Sequence, residues 1–191
     1  KKKIVKGFTT NPSLMGKAGA KNYSKYCKDI LKITNKPISF EVFADNNKEI
    51  IDQALKIKEW GKNVYVKIPV TNSKGKFLGN SIKFLNNKNI KLNITAVYSA
   101  TQTKKILKMI NKKTKLIISI FAGRAGDVGK DPIPEFKKSI QLAKNFKNVE
   151  ILWASVREPY NYLQAKQLGC HIITVPPLLI EKIQKFGKSF N

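Results

Sequence analysis

The sequence predicts an α/β fold built as a (β/α)8 barrel, and three observations carry that expectation. Short β-rich runs alternate with helical stretches along the chain, as repeated βα units require. The runs are near-continuous in apolar residues, LIISIF and EILWAS among them, as in parallel strands covered on both faces. Neither G-x-G-x-x-G nor G-x-x-x-x-G-K-[ST] occurs, which removes the phosphate loops of nucleotide-binding doubly wound sheets and leaves the barrel preferred.

Strands are expected over residues 4–9, 38–44, 64–70, 92–98, 116–121, 150–155 and 171–175. Between them apolar residues fall at helical spacing over 21–33, 47–60, 76–86, 99–111, 133–146 and 159–168, with a last helix over 178–186. In 47–60, Ile50, Ile51, Ala54, Leu55 and Ile57 form one stripe that should pack on the sheet, and Gly61 stands where a C-terminal cap would. A full barrel needs eight strands and usually about 250 residues. With 191 residues and seven visible strands, the chain is expected to form one barrel domain over 1–191 that lacks the first strand.

Composition narrows the function classes. A formal net charge of +25 and a pI near 10.1 would suit nucleic acid or an anionic membrane. The lysines, however, are spread over every segment, and no aromatic-interleaved basic stretch resembles a single-strand platform, so no nucleic-acid partner is expected. Cys27 and Cys170 form no C-x-x-C and His171 stands alone, so no zinc cluster of Cys and His can be assembled and no metal is expected. Free cysteines fit a reducing cytoplasm. No apolar stretch follows the N-terminal lysines or approaches membrane-spanning length, so a soluble protein without a membrane partner is expected.

Barrel active sites form at the C-terminal ends of the strands. In Val64-Tyr65-Val66-Lys67-Ile68-Pro69 a lysine stands inside an apolar strand, where desolvation favours the neutral, nucleophilic amine. The bland alternative is a lysine that snorkels to solvent. Asn93 and Thr95 share a strand face, as do Ser119 and Phe121, and Ser155 and Arg157, so polar groups can converge on one interior. Any one of them could instead serve a local cap. Only Arg124 and Arg157 among 37 basic residues are arginines, and both follow expected strand ends. A planar fork for a phosphate explains that choice, whereas a surface ion pair would tolerate Lys. Glu41, inside Phe40-Glu41-Val42, is a candidate acid/base or a structural partner for Lys67. Asp127 and Asp131, in the Gly-rich loop after Arg124, can cap the following helix or touch substrate, and capping is the expectation; His171 and the cysteines are expected to have no chemical role.

Five segments in order resemble the transaldolase family, Schiff-base aldolases that include small bacterial transaldolases and fructose-6-phosphate aldolases. They are Gly7-Phe8-Thr9-Thr10-Asn11-Pro12-Ser13-Leu14, Val66-Lys67-Ile68-Pro69, Asn93-Ile94-Thr95 with Ser99 and Gln102, Phe121-Ala122-Gly123-Arg124, and Ala154-Ser155-Val156-Arg157. The resemblance covers the whole chain and implies a TIM barrel without cofactors. It implies that Lys67 forms the Schiff base, that Glu41 and Thr95 hold a proton-shuttling water, and that Asn11, Asn93 and Ser119 orient the donor ketose. Arg124, Ser155 and Arg157 would hold the phosphate. Glu41 and Phe121 are similar to transaldolases, where the fructose-6-phosphate aldolases carry Gln and Tyr.

The implied reaction moves a dihydroxyacetone unit from sedoheptulose 7-phosphate to glyceraldehyde 3-phosphate, giving erythrose 4-phosphate and fructose 6-phosphate, within the pentose phosphate pathway. Release of free dihydroxyacetone is the alternative; an inactive scaffold and a basic nucleic-acid-binding protein are alternatives of another class. The family's first strand carries an acid/base Asp one βα unit before T-T-N-P, and only six residues precede Gly7 here. A truncation of that unit, and of a C-terminal helix that helps join subunits of a homo-oligomer, is therefore expected.

Overall fold

The computed structural model describes residues 4–189. Its elements follow one another as β1 (Phe8–Thr9), α1 (Pro12–Lys17), α2 (Tyr23–Ile33), β2 (Ile38–Glu41), α3 (Asn47–Lys58), β3 (Val64–Pro69), α4 (Gly79–Asn87) and β4 (Leu92–Val97). Then come α5 (Ala100–Leu107), β5 (Leu116–Phe121), α6 (Ala122–Gly126), α7 (Ile133–Ala143), β6 (Val149–Ala154), α8 (Asn161–Leu168), β7 (Ile172–Ile173) and α9 (Pro177–Ile183). All seven strands are parallel and lie in one curled sheet in chain order. A doubly wound sheet reverses its strand order at a switch point. This order has no reversal, so the sheet is the wall of a barrel, open between β1 and β7 among the described residues.

Alternation along the strands sorts the side chains into two layers. Phe40, Val66, Ile68, Ile94, Ile118 and Trp153 are buried in the layer between sheet and helices. There the Trp153 ring stacks on Phe136 of α7 with centroids 4.5 Å apart, and truncating either aromatic would cost about 3–5 kcal/mol. The alternate residues face the barrel interior. Some of them form an apolar cluster of Tyr65, Ile117, Leu152 and Ala154, with Phe121 and Ile172 against it. Elsewhere they are Ser39, Lys67, Asn93, Thr95 and Ser119, all buried and all polar.

The expected strands and helices are present, with three local differences. The outermost strands are two residues each, because each has a partner on one side only. Helix α3 stops at Lys58 with Glu59 still right-handed, Gly61 is not left-handed and so is no cap, and Leu55 of the expected stripe is 38% exposed while Ile50, Ala54 and Ile57 are buried. Two short helices, α1 and α6, occupy segments expected as loops. None of the described helices is long and apolar enough to cross a membrane.

Candidate active site

Lys67 is the fourth residue of β3 and lies in register with Glu41 of β2 and Asn93 of β4. Its Nζ is 3.1 Å from Glu41 Oε2 and donates to the Thr10 carbonyl at 3.0 Å, just beyond β1. The side chain does not snorkel: Lys67 is only 8% exposed. Because the parallel register puts Glu41 level with Lys67, the pair needs no unusual rotamer, and its partial burial raises the worth of the contact above that of a surface pair. The same 3.1 Å contact gives the ammonium proton a direct path to a carboxylate, and losing that proton is what makes the amine a nucleophile.

Next to the lysine runs a buried chain of hydrogen bonds across three strands. Ser119 Oγ donates to Asn93 Oδ1 at 2.7 Å, and Asn93 Nδ2 donates to Ser39 Oγ at 3.0 Å. The amide is thereby oriented from both ends, as buried polar networks require. Thr95, two residues beyond Asn93 on the same face, differs: its hydroxyl is buried and has no hydrogen-bond partner among the described residues. A buried hydroxyl without a partner costs about 1–3 kcal/mol. Binding a water or a substrate hydroxyl there recovers that cost.

The backbone at Thr95 is also unusual. Between Ile94 and Val97 strand β4 slips register against β5, and Ala96 takes a left-handed φ of 55°. Such a bulge bends the strand end and re-aims its last side chains, a device common beside active sites. A second left-handed residue, Ser155 with φ 64°, follows the end of β6. The strand stops at Ala154, so Ser155 and Arg157 are not the period-two pair expected from the sequence; a tight turn presents them instead.

The two arginines stand at this rim. Arg124 lies within α6 with its guanidinium 5.4 Å over the Phe121 ring, and Phe121 in turn meets Tyr98 edge-on at 5.8 Å. Arg157 donates from Nε and Nη2 to the two carboxylate oxygens of Asp127, at 3.0 and 2.5 Å. Those hydrogen bonds, aided by the fields of Arg157 and Arg124, hold the Asp127 carboxyl below the usual carboxylate range. Gly123 makes the approach possible, since a Cβ there would sit 1.9 Å from the Ser155 carbonyl oxygen and 2.9 Å from Arg157 Cγ. A concavity of about 770 Å³ is lined by Tyr98, Arg124, Asp127 and Glu135, and Lys67 is not among its lining residues.

Some expected site residues have local structural duties. Asn11 is the N-cap of α1, its side chain accepting from Leu14 N at 2.8 Å. Ser99 and Gln102 form a capping box on α5. Asp131 accepts from Ile133 N at 2.9 Å at the start of α7, as expected, whereas the Asp127 side chain clamps Arg157 rather than capping the following helix. Burial pushes the Cys27 and Cys170 thiols up to about 12, so neither supplies a thiolate at neutral pH. His171 accepts a hydrogen bond from Ile151 N at Nδ1 in the β6–β7 ladder, a structural role. Two participants were not expected. Ser39 carries the same signal as its neighbours, being two residues before Glu41 on one strand face. Asp127 has no such signal, because 30 residues separate it from Arg157.

Known proteins resemble this chain in family and in fold. The family model for transaldolase/fructose-6-phosphate aldolase matches residues 1–190. A probable transaldolase of Thermoanaerobacter sp. is 32% identical over 183 residues, covering 95% of this chain and 81% of the relative. One from Caldicellulosiruptor saccharolyticus is 33% identical over 184 residues with the same coverage, and one from Clostridium kluyveri is 36% identical over 175 residues, covering 91% and 77%. Among solved structures, a mutant mandelate oxidase with a monooxide FMN adduct shares the fold with a TM-score of 0.55 at 12% identity, over 78% of this chain and 50% of that one.

Proposed function

The chain belongs to the transaldolase/fructose-6-phosphate aldolase family, and on that premise we propose that Lys67 forms a Schiff base with the C2 ketone of a sugar phosphate and supports transfer of a dihydroxyacetone unit. The observation that carries this reading is the buried Nζ of Lys67, 3.1 Å from Glu41 and beside the Ser39–Asn93–Ser119 chain. Lys67 gives its proton to Glu41 and adds to C2, forming a carbinolamine. The C2 hydroxyl then leaves as water, taking a proton supplied by Glu41, and an iminium remains on Lys67. A water held between Glu41 and the unpartnered Thr95 hydroxyl relays these protons.

The iminium is the electron sink for the next step. When the C4 hydroxyl passes its proton through that water to the Glu41 carboxylate, the C3–C4 bond breaks, its electron pair moves into the iminium to leave an enamine, and an aldose phosphate departs. The enamine attacks the aldehyde of an acceptor aldose phosphate, and hydrolysis of the resulting iminium frees Lys67. Asn93 and Ser119 hydrogen-bond the donor hydroxyls, with Asn11 near the mouth, while Arg124, Ser155 and Arg157 hold the phosphate. Such a transferase would serve the sugar-phosphate interconversions of the pentose phosphate pathway.

Borohydride reduction with fructose 6-phosphate, followed by peptide mass spectrometry, tests the proposal. A reduced adduct on Lys67 is the expected result, and an unmodified Lys67 after saturating ketose would refute it. Phe121 favours transfer over release, because it presents no hydroxyl where the fructose-6-phosphate aldolases carry Tyr. Product formation that depends on an added acceptor aldose is the expected readout; equal release of dihydroxyacetone without acceptor would assign the other activity.

A further inference from the structure

Arg157 is half exposed, yet its position is fixed from three directions. Its backbone N donates to Asn161 Oδ1 at 2.9 Å, where the chain enters α8. Its aliphatic stem passes over Gly123, where an added Cβ would lie 2.9 Å from Cγ and 3.1 Å from Cζ. Its Nε and Nη2 are held in bidentate fashion by Asp127, the C-cap residue of α6. A guanidinium presents four of its five N–H groups along two forked edges. Asp127 takes the Nε/Nη2 edge, which leaves the Nη1/Nη2 edge for a second planar or tetrahedral oxyanion.

We propose that Asp127 is a positioning residue for the phosphate subsite: it fixes the plane of Arg157 so that the open edge of the guanidinium is presented to a phosphomonoester before substrate arrives. The assignment of a phosphate to Arg157 rests on the proposed function above; the role of Asp127 does not follow from it. An unclamped, solvent-exposed arginine has many rotamers, and a ligand that orders it bears that entropy as lost affinity. Clamping beforehand removes the loss. The carboxylate also repels an incoming dianion, but both side chains are about half exposed, so that repulsion is screened and orientation dominates.

The test titrates inorganic phosphate into wild-type protein, Asp127→Asn and Asp127→Glu, with heat or 31P line width as readout and thermal midpoints alongside. Asp127→Asn, which keeps one acceptor and sets an amide against the guanidinium, is expected to weaken phosphate binding by about tenfold while lowering the midpoint only slightly. Asp127→Glu, with its carboxylate displaced by a methylene, is expected to fall between the two. Equal or tighter binding by Asp127→Asn would overturn the proposal, since the carboxylate would then be a competitor or a bystander. Failure of the wild type to bind phosphate would overturn it as well.

The borohydride assay separates this from the functional proposal. Trapping by unphosphorylated dihydroxyacetone should be unchanged in Asp127→Asn, while half-saturation for fructose 6-phosphate rises about tenfold and the maximal extent of trapping is kept. A matching loss with both ketoses would mean general structural damage and would also overturn the positioning role. A wild type that binds phosphate but traps neither ketose would defeat the Schiff-base reading and leave Asp127's role to the phosphate titration.

Discussion

The lysine side and the arginine side of the site are built by opposite rules. Lys67, Glu41, Asn93 and Ser119 stand on strands inside the sheet; parallel pairing sets the first three level with one another, and Ser119, two residues beyond Asn93's partner Ile117, reaches Asn93 through its hydroxyl. Arg124 and Arg157 stand on a five-residue helix and beyond a left-handed turn, at the solvent edge. The proposed covalent chemistry needs placement to within about half an ångström and few waters, which buried positions on paired strands provide. The proposed phosphate handle must instead be reached from solvent; its groups sit in short, exposed segments, where Asp127 pairs with Arg157 and the Phe121 ring lies under Arg124.

The comparison breaks most readily at its centre. Lys67→Met should abolish borohydride trapping and reduce turnover by roughly a thousandfold or more, while far-UV dichroism stays native. Turnover that survives in Lys67→Met would remove the distinction between the two sides, because the strand lysine would then be a mere partner for Glu41. On the other side, Gly123→Ala tests whether the arginine rim is as tightly packed as the strands. The added methyl would meet the Ser155 backbone at 1.9 Å, which no side-chain rotation relieves. Urea denaturation should show a loss of about 1–3 kcal/mol, with trapping by phosphorylated ketoses affected more than trapping by dihydroxyacetone.

Each side also carries one left-handed residue, Ala96 and Ser155. Replacing either with Gly should raise stability by about 1 kcal/mol in urea titration, since Gly adopts that φ without steric cost. Function should separate them: Ala96→Gly is expected to alter imine formation next to Thr95, Ser155→Gly the dependence on phosphate. Identical kinetic effects would show that the two strand ends act as one unit.

The smallest effect concerns pH. Hydrogen bonding to Arg157 lowers the Asp127 carboxyl below its unfolded value, so the contribution of the clamp is present above the ordinary carboxylate range. It is lost as pH falls through the depressed folded value. Thermal melts of wild type and Asp127→Asn should therefore differ slightly at neutral pH and converge in acid. Divergence on acidification would contradict the assigned direction.

Much of the lysine side was legible because its signals are local. Period two placed Asn93 with Thr95 and Ser119 with Phe121, and the apolar surroundings of Lys67 marked it as buried. Ser39 could have been found by the same rule from Glu41. The arginine side gave up only its composition, two arginines after strand ends, because what holds them depends on the path of the chain.

By itself the sequence determined the βα rhythm, the chain-ordered parallel sheet and the polar positions that face inward, since helix and strand periodicities are written in neighbouring residues. Only the tertiary structure decided the clamp between Asp127 and Arg157, the double duty of Asn93 and the left-handed turns at Ala96 and Ser155. Neither Ala nor Ser favours a positive φ, so nothing local announces those turns. Packing around the strand ends imposes them, and packing is a property of residues far apart in sequence and close in space.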